Sequence, residues 1–113
     1  MVRFFLQGST VTMEVLGVDK FLALRNRIQF SQCNIRDVRL PEEGLAPPLI
    51  RYPGTRIPGF SAGTYLGDGR KEFWDTIFGE NAVVIELENE EYTRIVVDVE
   101  HPEDVVDGLR PRF

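Results

Sequence analysis

The chain has 113 residues, carries 18 acidic and 13 basic side chains for a formal net charge of −5, and is 42% hydrophobic. This size and balance exclude a disordered chain and predict one globular domain over residues 1–113. No apolar run approaches the ~20 residues of a membrane-spanning helix, and residues 1–6 are too short for a secretory signal, so we expect a cytoplasmic location.

The first part of the chain predicts short strands. Residues 11–15 alternate apolar and polar side chains, which is typical of a half-buried strand. Residues 20–25 predict a second strand that pairs antiparallel with the first, and residues 28–30 suggest a third. Residues 35–40 fit a bulged strand and one helical turn equally well.

Residues 41–61 predict a long loop, because prolines and glycines are concentrated there. Pro53-Gly54 and Pro58-Gly59 each suit the centre of a type II turn, in which proline fixes the first φ and glycine takes the positive one. A loop of this length is either functional or mobile.

The second half predicts a meander of four strands. Residues 62–65 and 71–78 form a hairpin around the turn at 67–69, and strands over 82–88 and 92–98 follow after short turns. Each strand is expected to pair with its neighbour in the chain.

One C-terminal helix is expected over about residues 102–110. Pro102 suits the first helical position, and the acidic residues after it favour the positive end of the helix dipole. Val105, Val106 and Leu109 share one face, which can cover the open end of a sheet.

About seven short antiparallel strands followed by one helix predict a mainly β fold, a bent antiparallel sheet or partly open barrel capped by the helix. The segment 51–109 reads RYPGTRIPGF, then GTYLGDGR, an aromatic strand EFWD, a run VVIEL and a closing HPEDVVDGL. In this order the segment resembles bacterial pleckstrin-homology-like (PH-like) domains. The resemblance implies a seven-stranded bent sheet with a C-terminal helix, in a family whose bacterial members mostly lack an assigned activity, often occur near membrane proteins and in some branches form rings.

Many eukaryotic members of that family bind phosphoinositides through a lysine and an Arg-x-Arg pattern near the first hairpin. Lys20, Arg25 and Arg27 match this pattern only superficially, because they begin and end one predicted strand and are too far apart for a single headgroup.

Candidate binding residues are concentrated in the predicted loop. Rigid turns there can present two guanidinium groups and two aromatic rings to a carboxylate, a phosphate or a peptide. The alternative is a packed loop with ordinary surface arginines. The candidate residues of this group are Arg51, Tyr52, Arg56, Phe60 and, after the following strand, Arg70.

Phe73 and Trp74 are neighbours on a predicted strand and therefore point to opposite faces. Either one of them is exposed and marks an interface, for which Trp74 is the candidate, or the helix or the long loop covers it.

Cysteine and histidine usage limits the chemistry. The single Cys33 excludes an internal disulfide and a cysteine-built zinc site, and the single His101 removes most histidine-based metal and triad chemistry. We expect no catalytic residues, no metal and no cofactor. A catalytic role for His101 and its neighbouring carboxylates would require a deep pocket at the start of the helix.

Charge is unevenly distributed, since residues 80–107 contain ten acidic residues and one basic residue. Duplex nucleic acid requires a broad basic face, which the scattered arginines do not provide, so nucleic-acid binding is not expected. The leading hypothesis is a non-catalytic protein-interaction or assembly module that contacts a protein partner or a second copy of itself. The alternative is a binder of an anionic lipid headgroup or a small anionic ligand through Arg51, Arg56 and Arg70.

Overall fold

A computed structural model describes residues 1–17, 25–47, 50–57, 60–67 and 69–110, with the backbone alone for 50–57 and Phe60. The described residues form two β-sheets and one α-helix, α1 (Pro102–Leu109). The first sheet has the order β1-β2-β3, and the second has the order β4-β8-β9-β7-β6-β5. The strands are β1 (Val2–Gln7), β2 (Thr10–Val15), β3 (Arg27–Ser31), β4 (Ile35–Arg39), β5 (Ile50–Ile57), β6 (Phe60–Gly67), β7 (Arg70–Thr76), β8 (Ala82–Leu87) and β9 (Arg94–Asp98).

The first sheet confirms the strands predicted over 11–15 and 28–30. The alternate residues Val11, Met13 and Val15 of β2 are buried, as the period of two requires. β2 pairs antiparallel with β1 on one side and with β3 on the other. The strand predicted over 20–25 lies mostly outside the described residues, and Arg25 itself is not in a strand.

The second sheet begins with a bulged strand, which decides between the two interpretations of residues 35–40. A 3-10 turn over Gln32–Asn34 leads into β4, whose register with β8 shifts between Ile35 and Asp37. The extra residue in the bulge explains why the apolar spacing did not alternate.

The prediction of a continuous loop over 41–61 is wrong. β5 occupies 50–57 and pairs with β6 through a register shift between Arg51 and Gly54. Pro53 lies inside this irregularity on the last strand of the sheet, where a missing N–H costs little. The turn predicted at Pro58-Gly59 lies outside the described residues.

The predicted meander is also wrong. The hairpin of β6 and β7 is confirmed, but β9 lies between β7 and β8 and runs parallel to β7. Residues 77–81 therefore cross the end of β9 to join β7 to β8. The buried Asp98 secures this crossing by accepting hydrogen bonds from the hydroxyl of Thr76 at 2.7 Å and from the backbone N–H of Ile77 at 2.9 Å.

The main core lies between the two sheets and beneath α1. Side chains from β2 and β3 pack against those of β4, β8 and β9, and Val106 and Leu109 of the helix join them. The predicted fold class is confirmed: over the described residues the protein is mainly β, its two sheets do not close into a barrel, and a C-terminal helix caps them. In the part of the chain that the structure describes, no helix has the length and apolarity to cross a membrane.

Candidate functional site

β1 presents an open backbone edge. Among the described residues β1 pairs with β2 alone. The hydrogen bond from the Leu16 N–H to the Met1 carbonyl, at 2.9 Å, shows that Met1 and Leu16 form a hydrogen-bonded pair at the start of this ladder. Directly opposed residues alternate between bonded and non-bonded pairs, so Val2, Phe4 and Leu6 direct their N–H and C=O groups away from β2. Among the residues that the structure describes, no backbone group pairs with those of Phe4 and Leu6, which a further strand could therefore bind, whereas Val2 is only 2% exposed.

An apolar groove of about 570 Å³ runs between β1 and α1, and we call it the β1 groove. Phe4 is partly buried at its floor, while Leu6 is 45% exposed. Contiguous exposed apolar surface beside an unpaired strand edge is typical of a surface that receives another chain. The lining residues are Met1, Val2, Arg3, Phe4, Leu6, Leu16, Val99, Glu100, His101, Asp104, Val105, Gly108 and Leu109.

The acidic surplus of the sequence is concentrated on the helix side of this groove. Two acids of β8 and the turn after it are neutralised, because Glu86 pairs with Arg39 and Arg94, and Glu88 pairs with Arg36. In the described residues, by contrast, the helical acids have no lysine or arginine within ion-pair distance. These acids are Glu100, just before the helix, and Glu103, Asp104 and Asp107 within it.

A second cavity, of about 470 Å³, lies on the face of the second sheet that points away from the core, which we call the outer face. The apolar half of this face contains Tyr65, Trp74, Val84 and Val96, all buried. The polar half carries a row of register-paired residues that crosses the sheet strand by strand. This row is Arg51, Tyr65, Glu72, Arg94, Glu86 and Asp37.

Arg39 holds the acids at one end of the outer face. It donates to Asp37 at 3.0 Å, to both oxygens of Glu42 at 3.2 Å, and to Glu86 at 3.0 Å. Burial opposes the charge of Arg39, but these hydrogen bonds outweigh it and raise its pKa above the ordinary value. The same hydrogen bonding lowers the pKa of Glu42.

Arg25 and Lys71 enclose the ring of Tyr92 and share the carboxylate of Glu91. Their charged groups lie 5.5 and 5.1 Å from the ring centroid, and both bind Glu91, Lys71 at 2.8 Å. The hydrogen bond from Lys71 lowers the pKa of Glu91. Burial opposes the charge of Arg25, but the hydrogen bonds to Glu91 outweigh it and raise the pKa of Arg25. Arg27 lies 3.7 Å from Glu14. Arg25 and Arg27 are thus committed to carboxylates, and Lys20 lies outside the described residues.

The structure separates the residues that the sequence nominated for binding. Arg51, Tyr52 and Arg56 are in β5, with Arg51 and Arg56 at register positions opposite Tyr65 and Ser61, and Phe60 begins β6. The three positions in β5 belong to the edge strand of the sheet rather than to a loop.

Arg70 and Trp74 are both on β7, but only Arg70 is accessible. Trp74 is fully buried, and so is Phe73 on the opposite face. Leu45, from the predicted loop, packs against the cluster that contains Trp74, and Phe78, from the 77–81 connection, has its ring centroid 5.9 Å from that of Trp74. The sequence left open whether one of these aromatic side chains is exposed or covered, and the structure shows that both are covered.

His101 occupies the N-cap position of α1, as its place before Pro102 indicated. Its side chain is 71% exposed and lies 3.9 Å from that of Glu100, which is also exposed. No enclosed acid–base pair is formed there. Among the described residues no group of histidine, cysteine and acidic side chains is arranged to hold a metal ion.

Comparisons with known proteins returned no match to a protein-family model, a curated protein or a solved structure. Membership of the PH-like family therefore stays a prediction.

Proposed function

We propose that this protein is a non-catalytic interaction module that binds an extended, basic segment of a partner protein by strand addition to β1. The observation that carries the proposal is the coincidence of an open strand edge with the apolar β1 groove. An added strand gains main-chain hydrogen bonds along the edge, while its alternate side chains enter the adjoining groove.

The backbone of β1 defines how the partner would pair. Phe4 and Leu6 offer two N–H and two C=O groups in one line, whereas Val2 on the same side is only 2% exposed. Side chains of these residues face the groove, so inward side chains of the added strand would lie beside them and against Val105 of the helix. The pocket thus favours apolar residues at alternate positions of the partner.

Charge selects a basic partner. Asp104 and Glu100 line the helix side of the groove without an arginine or lysine partner in the described residues. Lysine or arginine side chains can lay their aliphatic stems along the apolar floor and place their charges beside these carboxylates. An acidic partner would be repelled by the same groups.

The same charges disfavour a second copy as the occupant. Two β1 strands paired about a two-fold axis would place two acidic helices on the same face of the joined sheet. Like charges brought together at such a seam oppose association.

The test uses a synthetic peptide, Thr-Lys-Thr-Val-Thr-Lys-Thr with blocked ends, and isothermal titration calorimetry. Its valine and its two lysines share one face of an extended strand and can therefore all point into the groove. We expect saturable binding that weakens as salt is raised. A peptide with glutamate in place of lysine is expected not to bind, and one with proline in place of the central valine is expected to bind much more weakly, because proline cannot complete the ladder.

Two matched pairs of variants assign the binding to the β1 edge. Leu6→Pro removes an outward N–H that Leu6→Ala retains, and we expect the former to weaken binding about tenfold relative to the latter. Asp104→Asn is expected to weaken binding about two- to fivefold, whereas Asp107→Asn, whose residue does not line the groove, has a smaller effect. Equal binding of the lysine and glutamate peptides, or equal affinities of the two Leu6 variants, would contradict the proposal. Dimerisation of the unliganded protein through this edge would also contradict it.

A further inference from the structure

Gly108 occupies a position in α1 at which the fold does not require a glycine. Its backbone is helical, a conformation that residues with side chains adopt readily. A β-carbon added to Gly108 would have no heavy atom of the described residues within 4 Å, apart from its chain neighbours and its own helix backbone. Glycine makes a helix less stable than alanine does, because it loses more backbone freedom on folding. The helix therefore carries a destabilising residue that its own packing does not explain.

The missing side chain leaves an opening in the wall of the β1 groove. The groove residues of the helix recur at spacings of three and four, which identifies one face of α1. Gly108 belongs to this face, is exposed, and follows the groove residue Asp104 by one helical turn. At Gly108 the wall of the groove consists of bare helix backbone. The groove residues of this face are His101, Asp104, Val105, Gly108 and Leu109.

Leu6 lies at the same end of the groove as Gly108. The side-chain amide of Gln32 donates to the carbonyl of Leu109 at 3.5 Å, and the backbone N–H of Gln32 donates to the carbonyl of Ser9 at 2.8 Å. The C-terminal end of α1 is therefore close to the turn between β1 and β2, and Leu6 is the groove residue nearest to that turn. We call the space between the exposed Leu6 side chain and the helix backbone at Gly108 the Gly108 opening.

We propose that the Gly108 opening receives an aromatic side chain of the basic segment that adds to β1, an inference that rests on the proposed function. Bare helix backbone lets a planar ring approach closely, and the exposed Leu6 offers apolar contact on the other side. An aromatic ring buries more apolar area than a small aliphatic side chain. Aromatic side chains seated in pockets contribute much of the affinity of protein interfaces.

The spacing of Asp104 and Gly108 defines the sequence pattern of the partner. Four residues along a helix advance by about 6 Å, and two residues along a strand advance by about 6.6 Å and share a face. A ring against Gly108 therefore brings the side chain two positions away beside Asp104, which has no lysine or arginine within ion-pair distance among the described residues. The pattern is an aromatic residue and a basic residue two positions apart.

The experiment compares Thr-Lys-Thr-Val-Thr-Lys-Thr with the same peptide carrying phenylalanine at its centre, both titrated into the 113-residue chain by calorimetry. Lysines lie two positions from the centre on both sides, so the pattern is present in either strand direction. We expect the phenylalanine peptide to bind about tenfold more tightly, because its ring buries more apolar area. In nuclear magnetic resonance spectra the ring current should shift the α-protons of Gly108 upfield, an effect that the valine peptide does not produce.

Gly108→Ala separates a ligand site from a structural role. Alanine is the better helix former and meets no neighbouring atom, so the thermal midpoint of the free protein should rise by about 2–5 °C. Binding of the phenylalanine peptide should nevertheless weaken at least about threefold, since the added methyl group narrows the opening. Gly108→Leu fills the opening and should abolish the preference for phenylalanine over valine. Asp107→Leu, at an exposed helix position outside the groove, should retain this preference.

The outcomes separate this inference from the function on which it rests. If neither peptide binds, strand addition to β1 is wrong and the aromatic site is wrong with it. If both peptides bind equally tightly to the unmodified chain, or if Gly108→Leu retains the preference for phenylalanine, the aromatic site is wrong while strand addition stands. A lower thermal midpoint for Gly108→Ala would show that the fold itself needs the glycine, and it would also overturn the inference.

Discussion

Replacing Asp98 by alanine tests the crossing connection between β7 and β8. In the structure this buried carboxylate lies at the end of β9 and bonds to Thr76 and Ile77, where β7 ends and the 77–81 connection begins. In a meander β8 would lie between β7 and β9, and Asp98 at the end of β9 would be a strand further from Thr76 and Ile77 at the end of β7. The Asp98 contacts are therefore specific to the observed strand order.

The expected cost follows from the two hydrogen bonds. A hydrogen bond to a charged acceptor contributes about 1.5–3 kcal/mol, and Asp98→Ala removes two. Water can reach the partly buried N–H of Ile77 and recover part of the loss, so we expect the free energy of unfolding to fall by about 3 kcal/mol. For a domain of this size the thermal midpoint should fall by about 12 °C.

Urea denaturation followed by circular dichroism measures this effect. Asp98→Asn retains an acceptor and should cost about half as much, whereas Asp107→Ala, on the exposed side of the helix, should change stability by less than about 0.5 kcal/mol. If Asp98→Ala also changed stability by less than about 0.5 kcal/mol, the crossing over β9 would be refuted.

Three further outcomes follow from the packing. Trp74 is fully buried, so its fluorescence should be blue-shifted and poorly quenched by acrylamide, and strong quenching would contradict its burial. The pKa values of Glu42 and Glu91 are lowered by basic partners, so the unfolded chain binds more protons and stability should fall as pH decreases below 4.5; a constant urea midpoint there would contradict this. Tyr92→Phe keeps the ring between its two cations but loses the hydroxyl contacts, and it should cost about 1 kcal/mol in urea denaturation, less than Tyr92→Leu.

Local patterns predicted those elements whose own residues determine them. The alternation of Val11, Met13 and Val15 identified β2, and Pro102 followed by acidic residues identified the start of α1. β1 went undetected because Phe5 and Leu6 are exposed at an open edge and break the alternation. β5 was hidden by Pro53, which is typical of turns but is also tolerated at an irregular edge strand.

The candidate sites depend on pairing between distant segments, which a single sequence does not specify. The β1 groove forms only when the first strand meets the last helix. Glu72, which lines the outer-face cavity, has the appearance of an ordinary surface acid, and the only local signal of its burial was Trp74 two residues later, which on a strand shares its face. Placing β9 rather than β8 beside β7 requires a nonlocal choice, because short connections usually favour sequential neighbours.

Amide hydrogen exchange along β1 tests the proposed interaction most directly, because the β-ladder gives alternate residues different roles. Without peptide, the N–H groups of Arg3 and Phe5 should be protected by β2, while those of Phe4 and Leu6 exchange quickly. With the lysine–valine peptide bound, we predict new protection at Phe4 and Leu6 alone among these four. Binding that leaves both of these amides in fast exchange would contradict strand addition to β1.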